Sequence, residues 1–198
     1  EHYFDVIDCQ EKAYWLGFFA ADGYNHVSKG CIEFRLHKQD KEILEKFKSC
    51  IGANNPIGLY KQTYCNLTIY SQHLCDKLSE YGLSQAKTYT LQIPELDDVL
   101  MRHFIRGYFD GDGCFSVIKR NDRKNPNSKT YQFNITGMEN PLRKIQKHLI
   151  KNVGVADNGL KHRKSTIAVT IHYSGRNVCK RILDYLYQDA TIYLQRKY

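Results

Sequence analysis

No apolar run in this chain reaches the roughly 18 residues that a membrane span needs, and the N-terminal stretch lacks the layout of a secretory leader. The seven cysteines are an odd number, irregularly spaced, and no pair stands at Cys-x-x-Cys. Neither a zinc ribbon nor a disulfide framework is suggested, so reduced thiols are expected. The expected setting is cytoplasm or an organellar matrix, not the cell exterior. Acids are scarce in one half. Residues 98–198 hold 8 Asp/Glu against 19 Lys/Arg, whereas residues 1–97 hold 13 against 10. The overall charge of +8 is thus a balance of −3 followed by +11. The chain's 15 Tyr and many Asn, Gln, Ser and Thr accompany the basic residues, a mixture that suits a polyanionic partner.

A short pattern occurs twice, 90 residues apart. The first copy is Trp15-Leu16-Gly17-Phe18-Phe19-Ala20-Ala21-Asp22-Gly23. The second is Ile105-Arg106-Gly107-Tyr108-Phe109-Asp110-Gly111-Asp112-Gly113. The same elements follow each copy. Short strands are expected over Tyr24–Val27 and Cys114–Lys119, then alternating strands over Ile32–Leu36 and Tyr131–Ile135. Amphipathic helices over Lys41–Ile51 and Pro141–Val153 end at Gly52 and Gly154. Two more strands and a helix complete each half, the helices falling near Gln72–Tyr81 and Asn177–Tyr187. The order helix-β-β-helix-β-β-helix, twice, predicts an α+β fold of antiparallel sheets with helices on one face. The halves divide at 1–93 and 94–198, with a linker around Leu91–Asp97. A basic loop, Arg120–Lys129, has no counterpart in the first half.

Asp8, with Glu11 three residues on, is the expected cap of the first motif helix, and Asp97 of the second. Gly17 and Ala21, and Gly107 and Gly111, are small residues four apart. Interior glycine costs a helix roughly 1 kcal/mol against alanine, so these positions need a reason. Close approach of two helix backbones supplies one. The two motif helices then form the seam between the halves. That seam ends in Asp22 and Asp112, each at a helix C-terminus where the macrodipole disfavours a carboxylate. Two such acids brought together repel, and a divalent cation relieves both penalties. Mg²⁺ takes one or two carboxylates and completes its shell with water and phosphate. Paired acids, a metal and a basic surface point to phosphodiester hydrolysis.

These motifs resemble those of the LAGLIDADG homing endonucleases, in the single-chain form with two motifs. The second copy matches closely, and the first departs at Ala20, where the family often has Asp. The resemblance implies a saddle of two αββαββα halves whose strands lie over double-stranded DNA as a monomer. It implies cleavage of both strands of a long asymmetric site with Mg²⁺, or another divalent ion such as Mn²⁺. Carried onto this chain, the ligands are Asp22 and Asp112, helped by the carbonyls of Ala21 and Gly111. The family's active-site lysines fall at Lys87 and Lys197. Lys38 occupies a water-organising place at the end of the second strand, and Gly137 is its expected counterpart.

DNA readout is expected from outward strand positions: Asn25, His26, Glu33, Arg35, Lys61, Gln62, Tyr64 and Asn66 in the first half. In the second half they are Ser116, Ile118, Arg120, Gln132, Asn134, Lys161, Arg163, Thr170 and His172. The halves differ at nearly all of them, so the target is expected to be non-palindromic. A non-catalytic DNA-binding regulator or an RNA-splicing maturase of the same fold is the alternative, and retention of both acids and both lysines argues against lost catalysis. A purely structural domain leaves the duplicated acids unexplained. Self-splicing by this segment is not expected, since position 1 is Glu and no terminal His-Asn pair is present.

Overall fold

The computed structural model describes residues 2–84, 91–119, 128–162 and 166–197. The first half runs α1 (Gln10–Asp22), β1 (Gly23–His26), β2 (Cys31–His37), α2 (Lys41–Cys50), β3 (Gly58–Tyr60), β4 (Tyr64–Tyr70) and α3 (Gln72–Glu80). The second half repeats that order: α4 (Asp98–Asp112), β5 (Gly113–Lys119), β6 (Lys129–Gly137), α5 (Glu139–Val153), β7 (Lys161–His162), β8 (Val169–Ser174) and α6 (Arg176–Tyr187). Each half makes one antiparallel four-stranded sheet, ordered β1-β2-β4-β3 and β5-β6-β8-β7. This is the expected α+β architecture.

Alternation decides which sheet face is covered. Ile32, Phe34 and Leu36 are buried with Cys65, Leu67 and Ile69, whereas Glu33 and Arg35 point the other way. The motif helices lie on the covered faces. Phe18 and Phe19 pack on Phe34, and Phe109 stacks on Phe133 with ring centroids 4.6 Å apart. Residues Ala13 to Ala20 of α1 are all buried, as suits a helix enclosed on every side. One apolar core runs through both halves.

Two local expectations need correction. The residue capping α1 is Cys9, with no side-chain hydrogen bond, and Asp8 instead pairs with Lys12 at 3.0 Å. Asp97 does cap α4, accepting from the Leu100 N–H at 2.8 Å. Gly23 and Gly113 end their helices in extended backbone. Both must be glycine because a Cβ would stand 2.2 Å from the Phe19 ring or 2.1 Å from that of Phe109. The second correction concerns register. Gly23 pairs with Phe34 and Gly113 with Ile135, which makes Phe34 equivalent to Ile135. The counterpart of Gly137 is then Leu36, and that of Lys38 is Glu139, the first residue of α5.

Candidate active site at the helix seam

The seam between α1 and α4 is a backbone-to-backbone contact. A Cβ on Gly17 would lie 2.0 Å from the Phe104 carbonyl oxygen, and one on Gly107 would lie 2.0 Å from that of Tyr14. Phe104 sits 90 residues after Tyr14, just as Gly107 follows Gly17, so the contact is symmetric. No side chain larger than hydrogen permits it.

The contact continues to the last turn. A Cβ on Gly111 would lie 2.4 Å from the Ala21 Cβ and 3.1 Å from Asp22 Oδ2. The Asp22 carboxylate therefore stands against the α4 backbone one residue before Asp112. Asp22 is half-buried and Asp112 exposed. Asp112, Ala20, Ala21, Tyr108 and Gly137 line a cavity of about 130 Å³. The Tyr108 hydroxyl occupies the space a side chain on Gly137 would need, with a Cβ there 2.6 Å away. The two carboxylates and the backbone carbonyls of Ala21 and Gly111, the residues just before them, would offer hard oxygen donors. Such a set fits Mg²⁺ or Mn²⁺.

Lys197 reaches this place from the far end of the chain. Its ammonium donates to the Gly113 carbonyl and lies 5.7 Å from the centre of the Phe109 ring. Burial pushes its pKa down and Arg196 adds to this, while Asp110, Cys114 and Asp22 act in the opposite sense. Arg196 pairs with Asp40 of the first half at 2.9 Å. Lys38, exposed, sits beside that residue in a short 3-10 turn, Lys38–Asp40. Lys87 lies outside the described residues.

A buried polar group behind the acids has no announcement in the motif pattern. Asp110 is wholly buried and accepts from Tyr14 Oη at 2.8 Å, from the Leu194 N–H at 2.7 Å and from Tyr187 Oη. Burial raises its pKa against the opposing effect of these donors. Arg106, equally buried, donates to the Ile192 and Leu186 carbonyls at 3.1 and 3.2 Å. The available signal was Arg106 and Asp110 four apart, with His103 three before, inside an otherwise apolar helix.

The open sheet faces carry most of the expected readout residues. On the first sheet His26 meets Glu33 at 3.1 Å, Arg35 meets Glu33 at 2.7 Å, and the Arg35 guanidinium covers Tyr60 at 4.5 Å. Asn66 and Tyr64 lie opposite Arg35 and His37, and Lys61 and Gln62 form the exposed β3–β4 turn. On the second sheet Asn134 meets His172 at 2.7 Å, and Gln132 lies opposite Ser116. Ile118 and Lys161 are exposed at opposite sheet edges. Asn25 is a correction. It is 1 % exposed and its amide donates to the carbonyls of Cys75 and Leu83 and to Ser79 Oγ, so it faces the core. Thr170 is a partial one: it shares the open face but is nearly covered, its hydroxyl bonded to Thr136 at 3.1 Å. Arg120 and Arg163 lie outside the described residues. The sequence pattern missed Tyr24 and Tyr60, which flank His26 and Arg35.

Residues 105–192 match the family model described as LAGLIDADG endonuclease. The second half thus carries the LAGLIDADG endonuclease pattern. The chain's fold is shared by solved structures across nearly its whole length. A lysine-to-alanine mutant of I-SmaMI gives a TM-score of 0.67 at 13 % identity, over 93 % of this chain and 86 % of that one. I-AabMI bound to uncleaved DNA gives 0.67 at 14 %, over 93 % and 85 %. I-LtrWI bound to target DNA gives 0.66 at 13 %, over 98 % and 86 %. A curated protein, the replication factor C small subunit of Methanocaldococcus jannaschii, is 30 % identical over 112 residues. That match takes in 52 % of this chain and 6 % of the archaeal protein. Among the described residues no helix is long and apolar enough to cross a membrane.

Proposed function

We propose that this LAGLIDADG chain is a site-specific endonuclease that cuts both strands of a long, non-palindromic DNA site by Mg²⁺-dependent phosphodiester hydrolysis. It acts as a monomer whose halves, 1–93 and 94–198, are related by a pseudo-two-fold axis. The observation that carries the reading is the meeting of the two motif ends, with the Asp22 carboxylate against Gly111 and next to Asp112. Solved relatives of the same fold include I-SmaMI bound to cleaved DNA.

Asp22 and Asp112, with the carbonyls of Ala21 and Gly111, hold the divalent cation. Such a cation would supply polarisation of the scissile phosphate and activation of a water. The protein supplies the rest. Two helix C-termini aimed at one place add their negative ends to the carboxylates and favour a cation there. Lys197 brings a positive charge to the same place, where it stabilises charge that develops on the phosphate. Lys87 is its counterpart in the first half, and Lys38 orders water. The open faces, with His26, Glu33, Arg35 and Asn66 on one sheet and Gln132, Asn134 and His172 on the other, read base edges. The +11 balance of the second half neutralises phosphates.

Selection of cleaved sites from a random duplex library with Mg²⁺ tests the reading. Asp112→Asn should lower cleavage of the selected site at least about hundredfold, several kcal/mol of metal-borne stabilisation, and leave its affinity for that site within a few fold. Unchanged cutting by the variant would overturn the metal assignment. Recovery of bound but never of cut sites would overturn the nuclease reading in favour of a binding role.

A further inference from the structure

One face of α4 is polar where α1 is apolar. His103, Arg106 and Asp110 stand where α1 has Ala13, Leu16 and Ala20, each 90 residues earlier. Arg106 and Asp110 are wholly buried. Apart from the contact of Arg106 with His103 and that of Asp110 with Tyr14, the hydrogen bonds described for them go to the last segment of the chain. Arg106 holds the carbonyls of Leu186 and Ile192. Asp110 holds the Leu194 N–H at 2.7 Å and the Tyr187 hydroxyl, and Tyr14 of α1 closes the group from across the seam. Leu194 then starts the turn that carries Lys197, whose N–H donates to the Leu194 carbonyl at 2.8 Å. Beyond that turn, the Lys197 ammonium meets Gly113.

Burying a carboxylate and a guanidinium is a poor route to stability, since apolar residues of similar volume pack as well or better. The α1 face shows that alanine and leucine fill the equivalent positions. What a buried polar group supplies instead is a single arrangement, because every donor must meet its acceptor. Here the thing fixed is the path from Leu186 to Leu194, and through it the place of Lys197.

We propose that Asp110 is a positioning residue that sets Lys197 at the motif acids, through Leu194 and Tyr187, and that it serves one of the two cleavage events only. The first half has Ala20 in its place. The proposal rests on the nuclease reading above. It makes the two strands unequal in their dependence on this residue.

The test compares wild type, Asp110→Asn, Lys197→Ala and the double variant on a supercoiled plasmid carrying the selected site, with Mg²⁺. Asp110→Asn keeps affinity for the site, measured without metal, within about twofold. It slows cleavage of one strand at least tenfold more than the other, so nicked circles accumulate. Lys197→Ala gives the same imbalance, and the double variant is no slower than the slower single one. Hydrogen exchange gives a readout that needs no metal: protection of the Leu194 amide falls in Asp110→Asn and stays in Lys197→Ala. Tyr187→Phe removes one bond to the same carboxylate and gives a milder form of the same signature should the Asn variant fold poorly. Equal slowing of both strands, additive losses, or unchanged Leu194 protection would each overturn the positioning role while leaving the nuclease reading intact. A wild-type chain that binds DNA and cuts neither strand would overturn both.

Discussion

Replacing Gly107 by alanine sets two effects of opposite sign against each other. Alanine is the better helix former, by about 1 kcal/mol. Its Cβ would lie 2.0 Å from the Tyr14 carbonyl oxygen and 2.8 Å from the Phe18 nitrogen. A carbon and a carbonyl oxygen approach comfortably only to about 3.3 Å. The seam must therefore open by roughly 1 Å, and both obstacles are helix backbone that no rotamer change moves aside. Overpacking costs about 1–3 kcal/mol, and backbone obstacles on both counts put this case at the upper end. The net loss is about 2 kcal/mol. For a chain of this length that lowers the melting temperature by about 4–8 °C. Calorimetric melts of wild type, Gly107→Ala, Gly17→Ala and the double variant measure it. The singles should match, because a Cβ on Gly17 meets the Phe104 carbonyl at the same 2.0 Å. The double should lose less than their sum, since a seam already opened accommodates the second methyl. Cleavage should fall with either variant, as the acids ride on the helices that separate. A Gly107→Ala protein that melts at or above the wild-type temperature refutes the backbone contact and with it the shared site.

Two more predictions concern the side chains behind the site. Asn25→Ala removes the partner of the Cys75 and Leu83 carbonyls, both buried, and should cost about 2–3 kcal/mol in urea unfolding at about 1–3 per unsatisfied group. Affinity for the selected DNA site should not change; a stable variant with weakened DNA binding would return Asn25 to the readout face. Burial, with Arg106 and Arg102 nearby, holds the His103 pKa down to about 4. Its folded value lies below its unfolded one, so the unfolded chain takes up the proton first. The contribution of His103 is whole above pH ~6.5 and is lost as pH falls toward about 4, up to about 3 kcal/mol. Denaturant melts between pH 7 and 4 should fall less steeply for His103→Gln; parallel curves would remove this histidine from the acid response.

The residues of the two motifs made much of this protein legible. Glycine at matching places in two apolar helices has one economical cause, a backbone contact, and Gly17 and Gly107 show it. The acids follow because they lie one turn further along the same helices. Alternation told Phe34 and Leu36 from Glu33 and Arg35. It also held an unused constraint: Asn25 and His26 are neighbours on one strand, so they cannot both face DNA. The partner of Lys38 was misplaced because alternation has period two, and a slip of two residues leaves every face unchanged. Only the pairing of Gly23 with Phe34 and of Gly113 with Ile135 fixes that register.

Composition and pattern alone thus determined a duplicated α+β chain, the helices that join its halves, and the two acids at their ends. These are local or periodic properties, written within a few turns of chain. Tertiary structure decided what depends on distant meetings. Tyr14 and Asp110 are 96 residues apart, Arg196 and Asp40 156. Nothing in the spacing of Arg106 and Asp110 says that their bonds hold Ile192 and Leu194, because a buried charge is defined by its partners, and those arrive only when the chain has folded.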